Sequence, residues 1–348
     1  MQFTVTITKV AFSVRPLMLP LSKTMASELI LRPAEPGDVQ TIFDLVVALA
    51  EYEKLSHAVV GSVDALFEHL FGSKPYVEVV LAEYREKAVG FALFLHNYST
   101  VLTKPGIYLE DLFVLPEYRR LGIGKAIFSY LAQLVVSREC GSLEWSVLDW
   151  NEPAIAFYRR MGASIQEDGR ICRLTGESLA QLATQDLALK LRLAVSEDLP
   201  LVVGLLQQQA DDKTLQTLAE STNTLQEHLF GATYIEAVLV ESEGQVVGFA
   251  TFFHNYSTFL TKPGLYLDEL FVLPNYQSQD IDKAILIYLA QLAVSRNCGR
   301  IEWLVKSNEP AISFYESLSA SVLPDWRICQ ITDEALTQLA NRKINYSY

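Results

Sequence analysis

The sequence predicts a mixed α/β fold made of two tandem copies of one domain, each a twisted mixed sheet flanked by helices on both faces. Three observations carry this. Residues from Val89 read VGFALFLHNYSTVLTKPGIYLEDLFVLPEY, and from Val247 they read VGFATFFHNYSTFLTKPGLYLDELFVLPNY. Shorter matches flank that block in the same order: LRPA at Leu31 with LRLA at Leu191, EHLFG at Glu68 and Glu227, NEPAIAFY at Asn151 with NEPAISFY at Asn308, and DGRICRLT at Asp168 with DWRICQIT at Asp325. Two copies of this length mark a domain duplication and not a solenoid. Within each copy, a meander of strands is followed by an alternation of helices and strands.

The first strand covers Leu29–Arg32. Asp38 is placed to cap a helix carrying Ile42, Leu45, Val46 and Leu49 at helical spacing. A second helix holds Val63–Leu70. Strands follow at Val77–Glu83 and Ala88–Asn97 around a turn at Tyr84–Lys87, and Lys104-Pro105-Gly106 reads as the next turn. The strand Tyr108–Val114 leads to a helix from Gly124 to about Ser137, then a strand at Leu143–Leu148, a helix at Pro153–Met161 and a final strand near Cys172. The same order is expected in the second copy. The seam falls near 184–190, between the helical ESLAQLA and the strand LKLRLAV. The predicted organisation is therefore an N-terminal extension at 1–24, a domain at 25–183 and a second domain at 184–348. The extension carries Lys9, Arg15 and Lys23, and prolines break its apolar stretch; it reads as disordered, with a targeting leader as the alternative.

Among 348 residues there are 28 basic and 41 acidic ones, a formal charge of −13. That field repels nucleic acid and anionic membrane surfaces and attracts cations. Cys140, Cys172, Cys298 and Cys329 have no metal-like spacing and recur in pairs with the repeat, so reduced thiols in a cytoplasmic protein, with no metal, are expected. No apolar run is long enough to span a membrane.

The chemistry concentrates in Asp111-Leu112-Phe113-Val114-Leu115-Pro116-Glu117-Tyr118-Arg119-Arg120-Leu121-Gly122-Ile123-Gly124-Lys125. A strand runs into a loop with two close glycines and a helix begins at once. Glycine lets main-chain N–H groups approach a phosphate, and the helix N-terminus adds partial positive charge. The P-loop pattern is excluded because Ala126 follows Gly124-Lys125, and the dinucleotide pattern because Ile127 stands at the third glycine position. Arg-x-x-Gly-x-Gly remains; alone it describes any helix start with a flexible approach.

With TKPGIYLEDLFVLPEYR and LEWSVLDWNEPAIAFYRRMGA around it, this pattern resembles the GCN5-related (GNAT) acetyltransferase superfamily, and more narrowly its diamine (spermidine/spermine) and thialysine branch, over about residues 29–183. The resemblance implies acetyl-CoA as co-substrate and transfer to a small cationic amine. It implies that Arg119, Arg120, Leu121, Gly122, Ile123, Gly124 and Lys125 hold the pyrophosphate. Main-chain groups of Leu112, Phe113 and Val114 would meet the pantetheine arm, and Asn151 the cofactor. Tyr158 would protonate the departing thiolate, Glu110 would help draw a proton from the amine, and Tyr52 and Glu53 would face the acceptor. Arg120 stands where the family usually has glycine, which is tolerable if its side chain points outward. A protein amine as acceptor and a non-catalytic CoA-binding sensor are the alternatives.

Apart from the resemblance, Tyr158 reads as a core or rim aromatic and Glu110-Asp111 as a strand-end pair. His96 and His254 occur in both copies and read as structural. In the second copy, Tyr276-Gln277-Ser278-Gln279-Asp280-Ile281-Asp282 replaces the loop, so two carboxylates would face a polyanion. Asp212 and Lys213 stand in place of Tyr52 and Glu53. The second copy is expected to fold without binding CoA, and to serve as the missing half of a dimer within one chain.

Overall fold

In the computed structural model, residues 28–210, 212–277, 280–307 and 310–342 are described, 212 and 213 by backbone alone. The expected extension at 1–24 and the side chains of Asp212 and Lys213 lie outside the described residues.

The first copy contributes β1 (Leu29–Pro33), α1 (Val39–Tyr52), α2 (Val63–Phe71), β2 (Glu78–Tyr84), β3 (Lys87–Ser99), β4 (Lys104–Val114), α3 (Ile123–Ser137), β5 (Ser142–Leu148), α4 (Glu152–Met161), β6 (Ser164–Gln166), β7 (Gly169–Thr175) and α5 (Gly176–Ala183). The second contributes β8 (Lys190–Leu193), α6 (Leu199–Gln209), α7 (Asp212–Gln226), β9 (Glu236–Ser242), β10 (Gln245–Ser257), β11 (Lys262–Val272), α8 (Ile281–Ser295), β12 (Arg300–Lys306), α9 (Ala311–Ser317), β13 (Ser321–Leu323), β14 (Trp326–Thr332) and α10 (Asp333–Ala340).

Two seven-stranded sheets result, ordered β1-β2-β3-β4-β5-β14-β6 and β13-β7-β12-β11-β10-β9-β8. The sequence seam therefore does not divide the sheets. Strand β14 of the second copy lies between β5 and β6, pairing from Trp326↔Leu148 to Thr332↔Ser142. Strand β7 of the first copy pairs with β12 from Gly169↔Lys306 to Thr175↔Arg300. The following helices travel with their strands: Gln133 on α3 donates to the Ala340 carbonyl (3.1 Å), and Gln291 on α8 to that of Gln185 (3.0 Å). Cys329, Ile331, Leu336 and Leu339 are buried in the core under α3, while Cys172, Leu174, Leu179 and Leu182 fill the core under α8. Burying Ile331, Leu336 and Leu339 alone contributes roughly 5–9 kcal/mol to the first sheet, at about 1.5–3 kcal/mol per side chain. All four cysteines are buried free thiols.

Three local expectations need correction. Lys104-Pro105-Gly106 opens β4 and is not a turn; the chain reverses at 100–103, where Thr103 takes φ +50°. Gly106 is required by close approach, since a Cβ there would collide with Asn97 and Ser142. Asp38 precedes α1 without capping it; its carboxylate accepts from Arg32 at 2.6 and 2.8 Å instead. The copies also differ in element order. Where the first copy runs from Tyr52 through an irregular stretch to α2, the second continues as α7, because Thr214–Gln226 contains no Val-Val-Gly break like Val59–Gly61.

Candidate active site

Parallel pairing between β4 and β5 is confined to Ile107↔Leu143, Tyr108↔Glu144 and Leu109↔Trp145. Beyond Leu109 the strands part, and the edge of β4 from Glu110 to Val114 faces an open notch. A bulge lies at the same point: Leu93 pairs with Asp111 and Phe94 with Leu109, leaving Glu110 as the extra residue. Bulges redirect side chains. Leu109 and Leu112 both pack toward the core under α3, so Glu110 and Asp111 follow one another between them. Phe113 turns its ring into the opposite core, with α1 and α2.

The loop after β4 leads to the N-terminus of α3. Gly122 immediately precedes the helix with φ +79°, and no side chain caps the first-turn amides. A Cβ built on Gly124 meets nothing within 4 Å, so main chain is open to a ligand there. Arg120 takes φ +65°, the conformation that favours glycine, and its side chain is exposed, which accounts for its being accommodated. Arg119 is held in place beside that loop. Its guanidinium lies over the Tyr52 ring (4.3 Å) and the Phe113 ring (5.5 Å), and its Nε donates to the Val114 carbonyl at 2.9 Å. In the second copy Asp280 takes the αL position at φ +51°, and Asp282 Oδ1 accepts from the Lys283 N–H at 3.0 Å. A carboxylate thus occupies an amide that the first copy leaves open.

Asn151 starts α4, accepting from the Ala154 N–H and from the Tyr52 hydroxyl, both at 3.4 Å. Two turns on, Tyr158 is buried, with its ring against Trp145 (4.8 Å) and Phe128 (5.6 Å). Burial raises its phenol above the ordinary tyrosine range. Tyr52, Glu53, Glu110, Leu112, Phe113, Val114, Arg119, Arg120, Gly122, Ile123, Gly124, Lys125, Asn151 and Tyr158 all line one cavity of about 1310 Å³. Of the sequence-predicted residues, only Leu121 is not among its walls; that side chain is exposed.

The inner end of this cavity is acidic. Burial, then the neighbouring Glu110, pushes the Glu53 carboxyl up to about 7. Asp111 is raised well above its ordinary value by burial and by Glu110 and Glu53, and its Oδ2 has no hydrogen-bond partner among the described residues. Glu110 is raised by burial while a guanidinium opposes the rise: Arg300 on β12 of the second copy reaches it at 3.1 and 3.3 Å. Sequence reasoning missed Arg300. The available signal was a cation in a largely apolar strand, at a position where the first copy has Ser142.

The two copies meet beside the site. The N–H groups of Val60 and Gly61 both donate to the Phe259 carbonyl (2.9 Å), and that of Ser62 to Thr261 Oγ1 (2.9 Å). His69 Nδ1 pairs with the Tyr256 hydroxyl at 3.1 Å, and His228 Nδ1 with that of Tyr98 at the same distance. His96 packs on Tyr234 and His254 on Tyr76, with centroids 5.3 and 5.4 Å apart. Burial lowers both imidazoles to about 4, in keeping with their structural reading. Among the described residues, no group of three or more His, Cys, Asp and Glu would hold a metal, and no helix is long and apolar enough to cross a membrane.

The sequence model of the acetyltransferase (GNAT) family matches residues 47–163 and 205–319. Over 194 residues the chain is 34% identical to L-ornithine N5-acetyltransferase of Arabidopsis thaliana, covering 43% of this chain and 85% of that protein. Over 164 residues it is 38% identical to thialysine N-epsilon-acetyltransferase of Bos taurus, covering 44% of this chain and 96% of that one. A solved structure of a GCN5-related N-acetyltransferase from Sphaerobacter thermophilus superposes with a TM-score of 0.52 at 15% identity, over 87% of this chain and 95% of that chain; the likeness is one of fold.

Proposed function

We propose, from the premise that this chain belongs to the acetyltransferase (GNAT) family, that its first copy transfers an acetyl group from acetyl-CoA to a small cationic amine. The chain is a tandem GNAT protein and an N-acetyltransferase. The observation that carries the finer reading is the single cavity in which Gly122, Gly124, the β4–β5 notch, Tyr158 and the acidic end meet. The relatives' ornithine and thialysine both present an amine to be acetylated, and the half-buried Glu53 and buried Asp111 carboxyls suit a cationic acceptor.

The residues fit the co-substrate. The open first-turn amides of α3 with Lys125 form an anion cradle, and the unpaired edge of β4 at Leu112 and Val114 offers main-chain partners to an amide-bearing arm. Acetyl-CoA supplies the thioester carbonyl. A substrate amine is an ammonium near neutrality, with reference pKa about 10, and must lose a proton before attack. Glu53, raised to about 7, is matched to accept it, with Glu110 beside it held by Arg300. Tyr158 keeps its proton at neutral pH because burial holds it far above that range, so it can deliver that proton to a departing thiolate. The second copy acts as the missing half of a dimer: its loop is blocked by Asp280 and Asp282, yet β14 and α10 complete the first sheet.

The test is release of the CoA thiol by the full chain with ornithine, lysine, thialysine, diamines and polyamines. Turnover with at least one of them is expected. Tight acetyl-CoA binding with no turnover on any amine would overturn the reading in favour of a CoA-binding sensor.

A further inference from the structure

The chain carries 41 acidic and 28 basic residues, so its field repels an anion unless cations gather where the anion docks. In most of the molecule cations are matched to carboxylates: Arg32, Arg138 and Arg192 each hold one at 2.6 Å. At the inner end of the first-copy cavity, Arg173 and Arg300 are matched to Glu302 and Glu110. Four other cations line the same cavity, together with Gly122 and Gly124: Arg120, Lys125, Arg160 and Arg342. Among the described residues none of these four is in an ion pair.

Arg342 follows α10 of the second copy, and the exchange that sets β14 into the first sheet brings it here. Its Nη1 donates to the Arg160 carbonyl at 3.3 Å and lies 4.0 Å from Met161 Sδ. The side chain therefore lies across the last turn of α4, a helix that lines the cavity from Pro153 through Phe157 to Met161. The helix end does not require it. Gly162 at φ +100° already closes α4, its N–H donating to the Arg159 and Tyr158 carbonyls. Nε and Nη2 of Arg342 have no hydrogen-bond partner among the described residues. They share one edge of the planar guanidinium, the edge that matches two phosphate oxygens.

The pseudo-symmetric positions differ as the two loops differ. Ser278 stands for Arg120, Ser317 for Arg160 and Gln185 for Arg342, while Lys283 keeps the charge of Lys125. The exchanged tails dock alike all the same: Gln133 donates to the Ala340 carbonyl, and Gln291 to that of Gln185. Helix α9 ends at Ser317 with no cation across it. Neither the exchange nor the helix end therefore accounts for an arginine at 342. The extra cations stand on the side with the open loop, and neutral residues stand on the side that Asp280 and Asp282 block.

Resting on the acetyl-CoA reading above, we propose that Arg342, supplied by the second copy, joins Arg160 in a site for a phosphate monoester at the exposed end of the first copy's cavity, and that the group it takes is the ribose 3′-phosphate of acetyl-CoA. The diphosphate of the co-substrate has the open amides of α3 and Lys125. The 3′-phosphate brings about 1.5–2 further negative charges near neutrality and calls for cations of its own. Arg160 and Arg342 are adjacent, exposed and without carboxylates, so they meet that demand. The second copy, closed to CoA at its own mouth, then contributes to holding CoA in the first.

The experiment titrates the full-length protein with CoA and with 3′-dephospho-CoA by calorimetry, a readout that needs no turnover. The unmodified protein is expected to bind CoA at least about tenfold more tightly, the worth of a charge-assisted contact to phosphate. Arg342→Gln, the exchange suggested by the pseudo-symmetric position, should cut that ratio at least about fivefold and leave the affinity for dephospho-CoA within about twofold. Arg342→Ala should do the same, so that the result does not hang on one variant's folding. An arginine that only braces α4 would weaken both ligands together and leave the ratio unmoved, which overturns the inference. Equal affinity of the unmodified protein for the two ligands overturns it without any variant. Both of these outcomes leave the acetyl-CoA reading standing, because CoA still binds. Binding of neither ligand removes both.

Discussion

The two copies share their cores and differ in their openings. Phe249 and Phe252 are as buried in the second copy as Phe91 and Phe94 in the first, and the β-bulge and the short parallel pairing recur at Asp268 and at Leu265↔Ile301, Tyr266↔Glu302. At the helix N-terminus the likeness ends: Gly122 and Gly124 leave main chain open, whereas Asp282 folds back on the Lys283 amide. A sheet tolerates change in that loop because the loop contributes little to burial, while the strand before it stays paired with its neighbours.

The sharpest way to break this comparison is to remove residues 326–348. They belong to the second copy by sequence, yet the first sheet should fail, losing roughly 5–9 kcal/mol of burial against a typical total of 5–15. Hydrogen exchange should show β5 and β6 deprotected; protection kept in both strands would contradict the exchange of strands. Next, Gly122→Asp with Gly124→Asp imports the second copy's loop into the first. Acetyl-CoA affinity should drop by about three orders of magnitude, as expected for roughly 4 kcal/mol of like-charge contact. Calorimetry on the double variant reads this directly, and unchanged binding would dissolve the distinction between the loops.

A smaller effect is expected of Tyr158→Phe, whose counterpart Tyr315 lacks an open loop beside it. In the first copy kcat should fall about 10²-fold with KM little altered; an unchanged kcat would remove Tyr158 from the chemistry. Glu53→Gln sharpens the picture through pH. Since the folded carboxyl sits near 7 and the unfolded one near 4.5, the wild type loses stability as pH rises between those values. Glu53→Gln should therefore gain about 3 kcal/mol over wild type on going from pH 4 to pH 8 in denaturant melts. The rise of kcat/KM through pH 7 should flatten in the same variant. The mildest prediction concerns the matched pairs His69–Tyr256 and His228–Tyr98. Tyr256→Phe and Tyr98→Phe each remove one hydrogen bond and should cost about 1 kcal/mol, equally on the two sides.

Element types and the glycine-opened start of α3 were legible because apolar period, glycine placement and the helix start all speak locally. The exchange of β7 and β14 was not. DGRICRLT and DWRICQIT are so alike that either segment satisfies either sheet, and only the three-dimensional path of the chain decides between them. Pro105-Gly106 looked like a turn because glycine has two uses, and here Asn97 and Ser142 demand the small residue and no reversal occurs. Arg119 is visible in the motif, but the Tyr52 and Phe113 rings on which its guanidinium stacks come from α1 and from the other face of β4, which spacing along the loop does not reveal. Glu110 was visible as an acid, but its partner comes from 190 residues away.

Because each copy lends its last strand and helix to the other, neither is removable as a unit. A duplicated gene product whose halves stood side by side could lose one half and persist. Here, discarding it leaves a gap between β5 and β6 and strands β7 without a sheet to join. The second copy is therefore tethered at its tail: Trp326–Thr332 has to keep pairing with the neighbour's sheet, whatever happens at its own mouth.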